Sequence, residues 1–322
     1  MKTDVKRPLV KILVIAGPTG AGKSETAVKV AEKIGGEIIN ADSIQVYRHF
    51  DIGSAKASEE LQRRVPHHLI DIHEPDENFT MWDFKEAAQK LFSEISSRGN
   101  VPILCGGTGL YIKAAIENLD GGPMPDPEMR EELRYEMDSE GPASMHERLV
   151  KIDPDAAAKT HPNDRHRILR ALETALLPKR EPESSPGQKT LTNKTPDYKN
   201  IFFVLCGPRE KLYEKINARV EKMLKAGWVE ETKSILAKGF DGGLKPFHGL
   251  GYRQIALHLR GELGADELAE TIKRETRNYA KRQITWFGSV NGSIWLDSVS
   301  SYTGAEGTEE AAAFIARYFR NI

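Results

Sequence analysis

One short stretch carries the clearest chemical signal in this sequence. Residues 17–24 read GPTGAGKS and fit the phosphate-loop pattern G-x-x-x-x-G-K-[ST]. In such a loop the glycines let successive backbone N–H groups turn toward phosphate oxygens, the lysine adds a positive charge, and the serine hydroxyl reaches a magnesium ion. The predicted phosphate-binding residues are Gly17, Pro18, Thr19, Gly20, Ala21, Gly22, Lys23 and Ser24. The loop recognises phosphate and leaves open which group is attached to it.

Two further polar segments have residue types suited to catalysis. Asp42 and Gln45 in ADSIQVY would let a carboxylate take a proton from a nucleobase amino group while an amide reads the edge of that base. An aspartate that caps the following turn has the same spacing, so both interpretations stay open. In GGTGLY, the glycines around Thr108 would let the backbone approach a ligand closely; the competing interpretation, which the segment alone favours, is a simple tight turn before a helix.

Basic residues are concentrated in two segments with helical spacing. HPNDRHRILRALE, residues 161–173, places three arginines and two histidines together, and IKRETRNYAKRQITWF, residues 272–287, mixes basic residues with aromatic ones. Such faces suit RNA, because phosphates bind the charges and bases stack on the rings. The alternatives are a solvated helical face for the first segment and core-packing aromatic residues for the second.

Composition limits the classes of protein that fit. The 322 residues include 46 basic and 47 acidic side chains, so any site for a polyanion must be a local patch. Cys105 and Cys206 each lie in an apolar run, as expected of buried thiols in a reducing compartment. The basic N-terminus leads into an apolar run too short for a signal peptide or a membrane span, which predicts a cytoplasmic protein without membrane contact.

Buried strands are expected to position these polar loops. The run VKILVIA from Val10 predicts a strand before the phosphate loop, and helical spacing follows Gly22. Two more apolar runs, GEIIN and VPILC, lead to Asp42 and to GGTGLY. Because ligands gather at the carboxyl ends of parallel strands, we expect these three loops to line one crevice.

The chain changes character after residue 120. A turn-rich segment leads into charged, helical sequence that ends in a Pro- and Ser-rich stretch predicted to be a mobile loop, and NIFFVLCG then returns as a buried strand. Helices are expected at about 209–225, 228–238 and 264–287. We therefore predict an α/β fold with a P-loop NTPase-like parallel sheet over 1–120 and 199–322, and an inserted all-helical domain over 121–198.

Taken in order, the motifs resemble those of one family, the bacterial-type tRNA dimethylallyltransferases, also called tRNA isopentenyltransferases. The resemblance covers nearly the whole chain and rests on GPTGAGKS, NADSIQVYRHFDIGSAKA, VPHHLIDIHEP, GGTGLYIKA, HPNDRHRILRALE, GLGYRQ and TRNYAKRQITWF. It implies transfer of a dimethylallyl group from dimethylallyl pyrophosphate to N6 of the adenosine immediately 3′ of the anticodon in tRNA. The phosphate loop would then hold an isoprenoid pyrophosphate, with Mg²⁺ bound at Ser24.

The resemblance also implies roles for individual residues. Asp42 would be the general base, Thr108 and Arg130 would act at the reaction centre, and Arg219 would approach the donor pyrophosphate. The positions implied to contact tRNA are Asp42, Ser43, Ile44, Gln45, His166, Arg167, Ile168, Leu169, Arg170, Gly249, Gly251, Tyr252, Arg253, Gln254, Lys281, Arg282, Gln283 and Trp286. The family expectation for the assembly is a monomer that binds the anticodon stem-loop.

The sequence departs from the family pattern at a few places. Many members have Ala-Ser where this chain has Gly20-Ala21, threonine where it has Ser24, and arginine where it has Gly288. The last difference removes one possible contact to the RNA backbone. Two alternatives are a P-loop kinase for a small molecule or nucleotide, which has no use for two basic segments, and an RNA-binding module without chemistry.

Overall fold

The computed structural model describes residues 10–117, 119, 126–177, 198–300 and 305–322. Contacts between residues divide the chain into one unit of Met1–Leu119 with Thr195–Ile322, and a second unit of Asp120–Lys194. Most of the Pro- and Ser-rich stretch predicted to be a mobile loop, residues 178–197, lies outside the described residues. Among the described residues, no helix combines the length and apolarity needed to span a bilayer.

The first unit contains a parallel sheet, which confirms the predicted α/β class. Its strands lie in the order β3-β2-β4-β1-β5-β6, and every neighbouring pair is parallel. The strands are β1 Val10–Ala16, β2 Gly36–Ala41, β3 His67–His68, β4 Val101–Gly106, β5 Tyr198–Cys206 and β6 Ile294–Asp297. The apolar runs predicted as strands form β1, β2, β4 and β5, while β3 and β6 at the sheet edges were not predicted.

Helices connect these strands and pack on both faces of the sheet. In the first unit they are α1 Lys23–Ile34, α2 Glu59–Arg64, α3 Met81–Ser97, α4 Gly109–Glu117, α8 Arg209–Lys225, α9 Trp228–Ala237, a 3-10 helix Lys245–His248, α10 Tyr252–Leu259, α11 Ala265–Gly288 and α12 Ala305–Arg320. Three of them, α8, α9 and α11, confirm the helices expected after residue 208. In the second unit the helices are α5 Pro127–Ile152, α6 Pro154–Ala158 and α7 Arg165–Leu176.

The side chains of β1 alternate between two hydrophobic layers. Ile12 and Val14 belong to a core that includes residues of α3, α4 and α11, whereas Leu13 and Ile15 belong to a core that includes residues of α1 and α12. All four side chains are fully buried. A strand covered on both faces needs an uninterrupted apolar run, which explains the sequence VKILVIA.

The second unit has a hydrophobic core of its own. Leu133 and Met137 of α5 pack with Ile168 and Leu172 of α7, and all four side chains are buried. Their spacing of four residues places each pair on one face of its helix. The helical character expected for this part of the chain therefore comes from amphipathic helices that pack against each other.

Candidate active site

The phosphate loop lies between the last residue of β1 and the first residue of α1, as its motif requires. Gly17, Gly20 and Gly22 all have positive φ angles, of 147°, 83° and 76°. A Cβ atom on Gly17 would lie 2.2 Å from the carbonyl oxygen of Leu205 in β5. The close approach of the loop to β5 therefore excludes any side chain at position 17. The loop is therefore held in a conformation that only glycine permits.

Two cationic side chains lie near this loop. Lys23 Nζ donates a hydrogen bond to the carbonyl oxygen of Pro18 over 2.8 Å. Desolvation lowers the pKa of Lys23 to about 8, with the neighbouring Arg219 of α8 acting in the same direction and the charges of Cys105 and Asp42 opposing it. Desolvation also lowers the pKa of Arg219. Two poorly hydrated cations beside glycine-rich backbone are the arrangement that stabilises a bound polyphosphate.

Asp42 directly follows β2, and its two carboxylate oxygens have different surroundings. Its Oδ1 accepts hydrogen bonds from the backbone N–H groups of Ile44 at 2.9 Å and Gln45 at 3.3 Å, so it caps the following turn. Among the described residues its Oδ2 has no hydrogen-bond partner. The two interpretations from the sequence are therefore compatible, because one oxygen holds the turn and the other can accept a proton.

Thr108 connects the end of β4 with the end of β2. Its hydroxyl accepts a hydrogen bond from the backbone N–H of Ser43 over 3.3 Å, and its own N–H donates to the carbonyl oxygen of Ala41 over 3.2 Å. The phenol of Tyr279 in α11 also contacts the Thr108 side chain. GGTGLY is therefore a turn before α4, as the simple alternative predicted, and it also places a hydroxyl beside Asp42.

These loops surround one cavity of about 840 Å³ in the first unit. Sixteen of the predicted site residues line it, namely Thr19, Gly20, Gly22, Lys23, Ser24, Asp42, Ser43, Ile44, Gln45, Arg219, Gly249, Tyr252, Arg253, Gln254, Arg282 and Gln283. The sequence expectation that the carboxyl ends of the strands share one crevice is confirmed for β1, β2 and β4. Within the described residues, no group of three or more His, Cys, Asp or Glu side chains could hold a metal ion.

Part of the cavity wall was not identified from the sequence. Ile216, Val220 and Met223 of α8 line the cavity, together with Trp228 of α9 and Tyr279 of α11. The three α8 residues are spaced by four and three positions and so share the helix face that also carries Arg219. This spacing could have indicated a shared face in the sequence, but it is typical of any amphipathic helix and does not indicate a cavity. The wall adds an apolar surface beside the cationic one.

Several predicted RNA contacts in the first unit have packing roles. Tyr252 is 1% exposed, and its hydroxyl donates to Glu231 Oε1 over 2.6 Å. Gly251 is buried against Trp228, where a Cβ atom would lie 1.9 Å from the indole ring. Gln254 accepts a hydrogen bond from the Gly251 N–H over 2.8 Å. Of the predicted contacts in the GLGYRQ motif, Arg253 is exposed and Gly249 is partly exposed.

Helix α11 presents the predicted basic face, with one exception. Lys281, Arg282 and Trp286 are exposed, and the Arg282 guanidinium lies 5.7 Å from the ring centroid of Tyr279. Gln283 points the other way and is 5% exposed. The core-packing alternative, which covered Trp286 and Phe287, is confirmed for the buried Phe287 and wrong for Trp286, which is 38% exposed. Lys281, Trp286, Thr108 and Gly251 are absent from the cavity lining, as are Gly17, Pro18 and Ala21 of the loop.

The second unit contains the remaining predicted residues. Glu173 of α7 is buried, and its carboxylate binds Arg130 Nε of α5 at 2.8 Å and an Arg170 terminal nitrogen at 3.2 Å. His166 and Arg167 are exposed, and Leu169 is partly buried. Ile168 is fully buried in the core of this unit, so its side chain cannot contact RNA as folded, and this position is corrected to a packing role.

A phosphate loop on a parallel sheet, with a carboxylate and two cations around one apolar-walled cavity, defines an α/β phosphate-loop protein. The chain belongs to the IPP transferase family, whose sequence model matches residues 45–290. A tRNA dimethylallyltransferase of Geobacter metallireducens is 46% identical over 297 residues, which cover 92% of this chain and 94% of that protein. One from Symbiobacterium thermophilum is 42% identical over 319 residues, covering 98% and 96%.

Solved structures show the same relationship. The crystal structure of a full-length tRNA isopentenylpyrophosphate transferase from Bacillus halodurans superposes with a TM-score of 0.70 at 38% identity and covers 97% of both chains. A eukaryotic dimethylallyltransferase acting on tRNA gives a TM-score of 0.76 at 26% identity, covering 97% of this chain and 80% of that one. These matches confirm the family resemblance inferred from the ordered motifs.

Proposed function

We propose that this protein transfers a dimethylallyl group from dimethylallyl pyrophosphate to N6 of the adenosine immediately 3′ of the anticodon in tRNA, and releases pyrophosphate. The observation that carries the proposal is that one cavity, in a member of the IPP transferase family, is lined by both the phosphate loop and Asp42. The cations of Lys23 and Arg219 suit the pyrophosphate, and the open oxygen of Asp42 suits the attacking amine.

In this reaction the bond between the allylic carbon and the pyrophosphate oxygen breaks, and a bond from N6 to that carbon forms. The electron pair of the broken bond leaves with the pyrophosphate, where the loop N–H groups, Lys23 and Arg219 stabilise the growing charge. The N6 proton passes to Asp42 Oδ2, while Oδ1 keeps its hydrogen bonds to the turn. Thr108 lies beside this carboxylate through its bond to the Ser43 N–H.

The cavity has room for both reactants. A volume of about 840 Å³ is at the upper end of the range of about 300 to 1,000 Å³ found for small-molecule sites. The apolar wall of Ile216, Val220 and Met223 suits the dimethylallyl chain. An adenine that enters from tRNA must leave its stack, and we propose that Gln45, which lines the cavity and donates a 2.9 Å hydrogen bond to the Ser54 carbonyl oxygen, reads its edge.

The residues present also fit a magnesium ion. Ser24 lines the cavity at the N-terminus of α1, and Mg²⁺ in such sites is held by few protein ligands together with phosphate oxygens and water. When bound there, the ion would neutralise charge on the pyrophosphate. Ser24 would hold it through the side-chain hydroxyl.

The RNA partner is proposed to be the anticodon stem-loop. Lys281, Arg282 and Trp286 on α11 and Arg253 on α10 are exposed and form a set of charges and rings suited to phosphates and unstacked bases. We infer that the protein acts as a monomer in the cytoplasm, because the first unit alone supplies the whole cavity lining, and Cys105 and Cys206 are free thiols.

The donor distinguishes this activity from that of a kinase. Purified protein should be titrated with inorganic pyrophosphate, dimethylallyl pyrophosphate and ATP, each with Mg²⁺, and the affinities compared. We expect the dimethylallyl compound to bind more tightly than pyrophosphate, because its chain contacts the apolar wall. Preferential binding of ATP, with turnover of its γ-phosphate, would contradict the proposal and favour a kinase.

A further inference from the structure

One buried amide of α11 links the loops that follow the neighbouring strands β1 and β4. Gln283 Oε1 accepts a hydrogen bond from the backbone N–H of Thr19 in the phosphate loop over 2.9 Å. Gln283 Nε2 donates to the carbonyl oxygen of Gly107, in the turn after β4, over 2.8 Å. The side chain is only 5% exposed, so both ends of the amide are committed to these contacts.

The fit between Gln283 and the turn is tight. A Cβ atom on Gly107 would lie 2.4 Å from Gln283 Nε2, so the residue at position 107 must be glycine for the amide to reach its carbonyl. One helical turn earlier, the phenol of Tyr279 contacts the side chains of both Thr108 and Gln283. Helix α11 therefore contacts two successive residues of this turn, Gly107 through Gln283 and Thr108 through Tyr279.

The contacts continue from this turn to the catalytic carboxylate. Thr108 accepts the Ser43 N–H, and Ser43 directly follows Asp42. The phosphate loop and Asp42 are thus connected through the hydrogen bonds of Gln283 and Thr108 and through the peptide links from Gly107 to Thr108 and from Ser43 to Asp42. A helix distant in sequence supplies this connection, because Thr19 and Gln283 are 264 positions apart.

We propose that Gln283 is a positioning residue that fixes the distance between the phosphate loop and Asp42, and that it does not contact tRNA. The proposal rests on the proposed function, in which the leaving pyrophosphate lies on the loop and the attacking amine lies at Asp42. Displacement needs the reacting atoms about 3 to 3.5 Å apart and aligned, so a loop released from its anchor lowers the rate. Gln283 faces inward, and its loss leaves the exposed basic face of α11 intact.

The test compares two neighbouring residues of the same helix. Gln283→Met keeps the length of the side chain and removes both hydrogen bonds, whereas Lys281→Met changes an exposed residue of the basic face. We expect Gln283→Met to lower kcat/KM for dimethylallyl pyrophosphate about tenfold or more, with the tRNA Kd within about twofold of wild type. Lys281→Met should raise the tRNA Kd more than Gln283→Met does, because it removes a charge from the exposed basic face.

A second variant protects the test against misfolding. Gln283→Glu keeps an acceptor for the Thr19 N–H, removes the donor to Gly107 and changes few atoms. We expect it to lower kcat as well, with circular dichroism and thermal unfolding close to those of wild type. Wild-type kinetics in both variants, or a tRNA Kd that rises as much as in Lys281→Met, would overturn the positioning role.

Binding of inorganic pyrophosphate separates this inference from the proposed function. Absence of transfer by the wild-type protein would contradict the function, but calorimetry with pyrophosphate and Mg²⁺ still reports on the loop. We expect the Gln283→Met variant to bind pyrophosphate about tenfold more weakly than wild type, because Thr19 loses its anchor. Equal affinity in the two proteins would contradict the positioning role regardless of the reaction catalysed.

Discussion

The backbone N–H of Ser43 donates a hydrogen bond to the hydroxyl of Thr108 over 3.3 Å, which joins the ends of β2 and β4. Asp42 precedes Ser43, and its Oδ1 holds the next turn through the Ile44 and Gln45 N–H groups. The proposed base therefore sits where two strands end side by side, with its backbone fixed from both directions. Such preorganisation is what a proton acceptor needs.

Asparagine at position 42 separates the two roles of Asp42. Asp42→Asn keeps an oxygen that accepts the Ile44 and Gln45 N–H groups, but it is not a base at neutral pH. We expect transfer to fall by about 10²-fold or more, within the range for loss of a general base, while the tRNA Kd stays within about twofold. Single-turnover kinetics and equilibrium tRNA binding would measure the two effects.

Alanine at the same position provides the comparison. Asp42→Ala also removes the cap, so we expect an additional loss of stability of about 1 kcal/mol. If Asp42→Asn transferred the group at the wild-type rate, Asp42 would be a structural residue only.

Glu37, at the start of β2, is expected to stabilise the fold and to take no part in the transfer reaction. Its buried carboxylate accepts hydrogen bonds from Arg98 at 2.6 and 2.7 Å and from Asn100 at 2.8 Å, and it contacts His68 at 2.7 Å. The Arg98 hydrogen bonds, helped by those of Asn100 and His68 and opposed by burial, lower the pKa of Glu37 from 4.5 to about 2. Because the folded-state pKa is depressed, this stabilisation is complete above about pH 4.5 and is lost as the pH falls toward 2.

We expect Glu37→Gln to reduce the free energy of unfolding at pH 7 by roughly 1 to 3 kcal/mol and to flatten its dependence on pH below 4.5. Urea unfolding at several pH values would measure this. Glu32→Gln, which breaks an exposed pair with Arg64, is the control and should cost about 0 to 1 kcal/mol. Equal losses in the two variants would show that the Glu37 contacts add nothing beyond a surface pair.

The exposed face of α11 predicts the salt dependence of RNA binding. Reversing the charges of Lys281 and Arg282 to glutamate should raise the tRNA Kd at least about tenfold and reduce the slope of log K against log salt by about one unit for each phosphate that is no longer bound. Lys90→Glu on α3, whose side chain is 77% exposed, should leave the slope unchanged. An unchanged slope in the α11 variant would mean that this face is not on the RNA.

Replacing Glu173 is expected to weaken tRNA binding, although removal of a negative charge would by itself strengthen it. Its carboxylate orients Arg130 and Arg170 within the second unit. Glu173→Gln makes the protein more positive, yet we expect tRNA affinity to fall about threefold to tenfold, because two arginines lose a bound orientation. Glu132→Gln, at an exposed position of α5, adds the same charge and should leave the affinity equal or slightly higher. Tighter tRNA binding by Glu173→Gln would contradict an orienting role.

The sequence pattern correctly predicted the strand and the loop that form the site, but it did not predict the contacts between distant elements. The run VKILVIA and the loop after it were identified correctly, because a doubly buried strand and a glycine-dependent turn both constrain nearby residues. Gln283 was assigned to tRNA by the family resemblance, and only the fold shows that it faces the phosphate loop. Ile168 was assigned to tRNA by the same resemblance, although its apolar side chain packs in the core.

The hydrophobic pattern of the sequence also failed to predict the short strand β3 and the apolar wall of the cavity. Strand β3 spans only His67–His68 and has no periodicity of its own, so its pairing with β2 depends on tertiary structure. The apolar wall of Ile216, Val220 and Met223 has helical spacing shared by every amphipathic helix, and the cavity beside it becomes visible only when α8 is placed.

Transfer of a labelled dimethylallyl group to RNA is the direct test of the proposed activity. Unmodified tRNA should be incubated with the wild-type protein, Mg²⁺ and dimethylallyl pyrophosphate labelled in the allyl group, and the labelled nucleotide should then be mapped. We expect one labelled adenosine per tRNA, immediately 3′ of the anticodon, with pyrophosphate released in equal amount and almost no label with Asp42→Asn. Label at another position, or its absence while ATP is consumed, would contradict the proposed function.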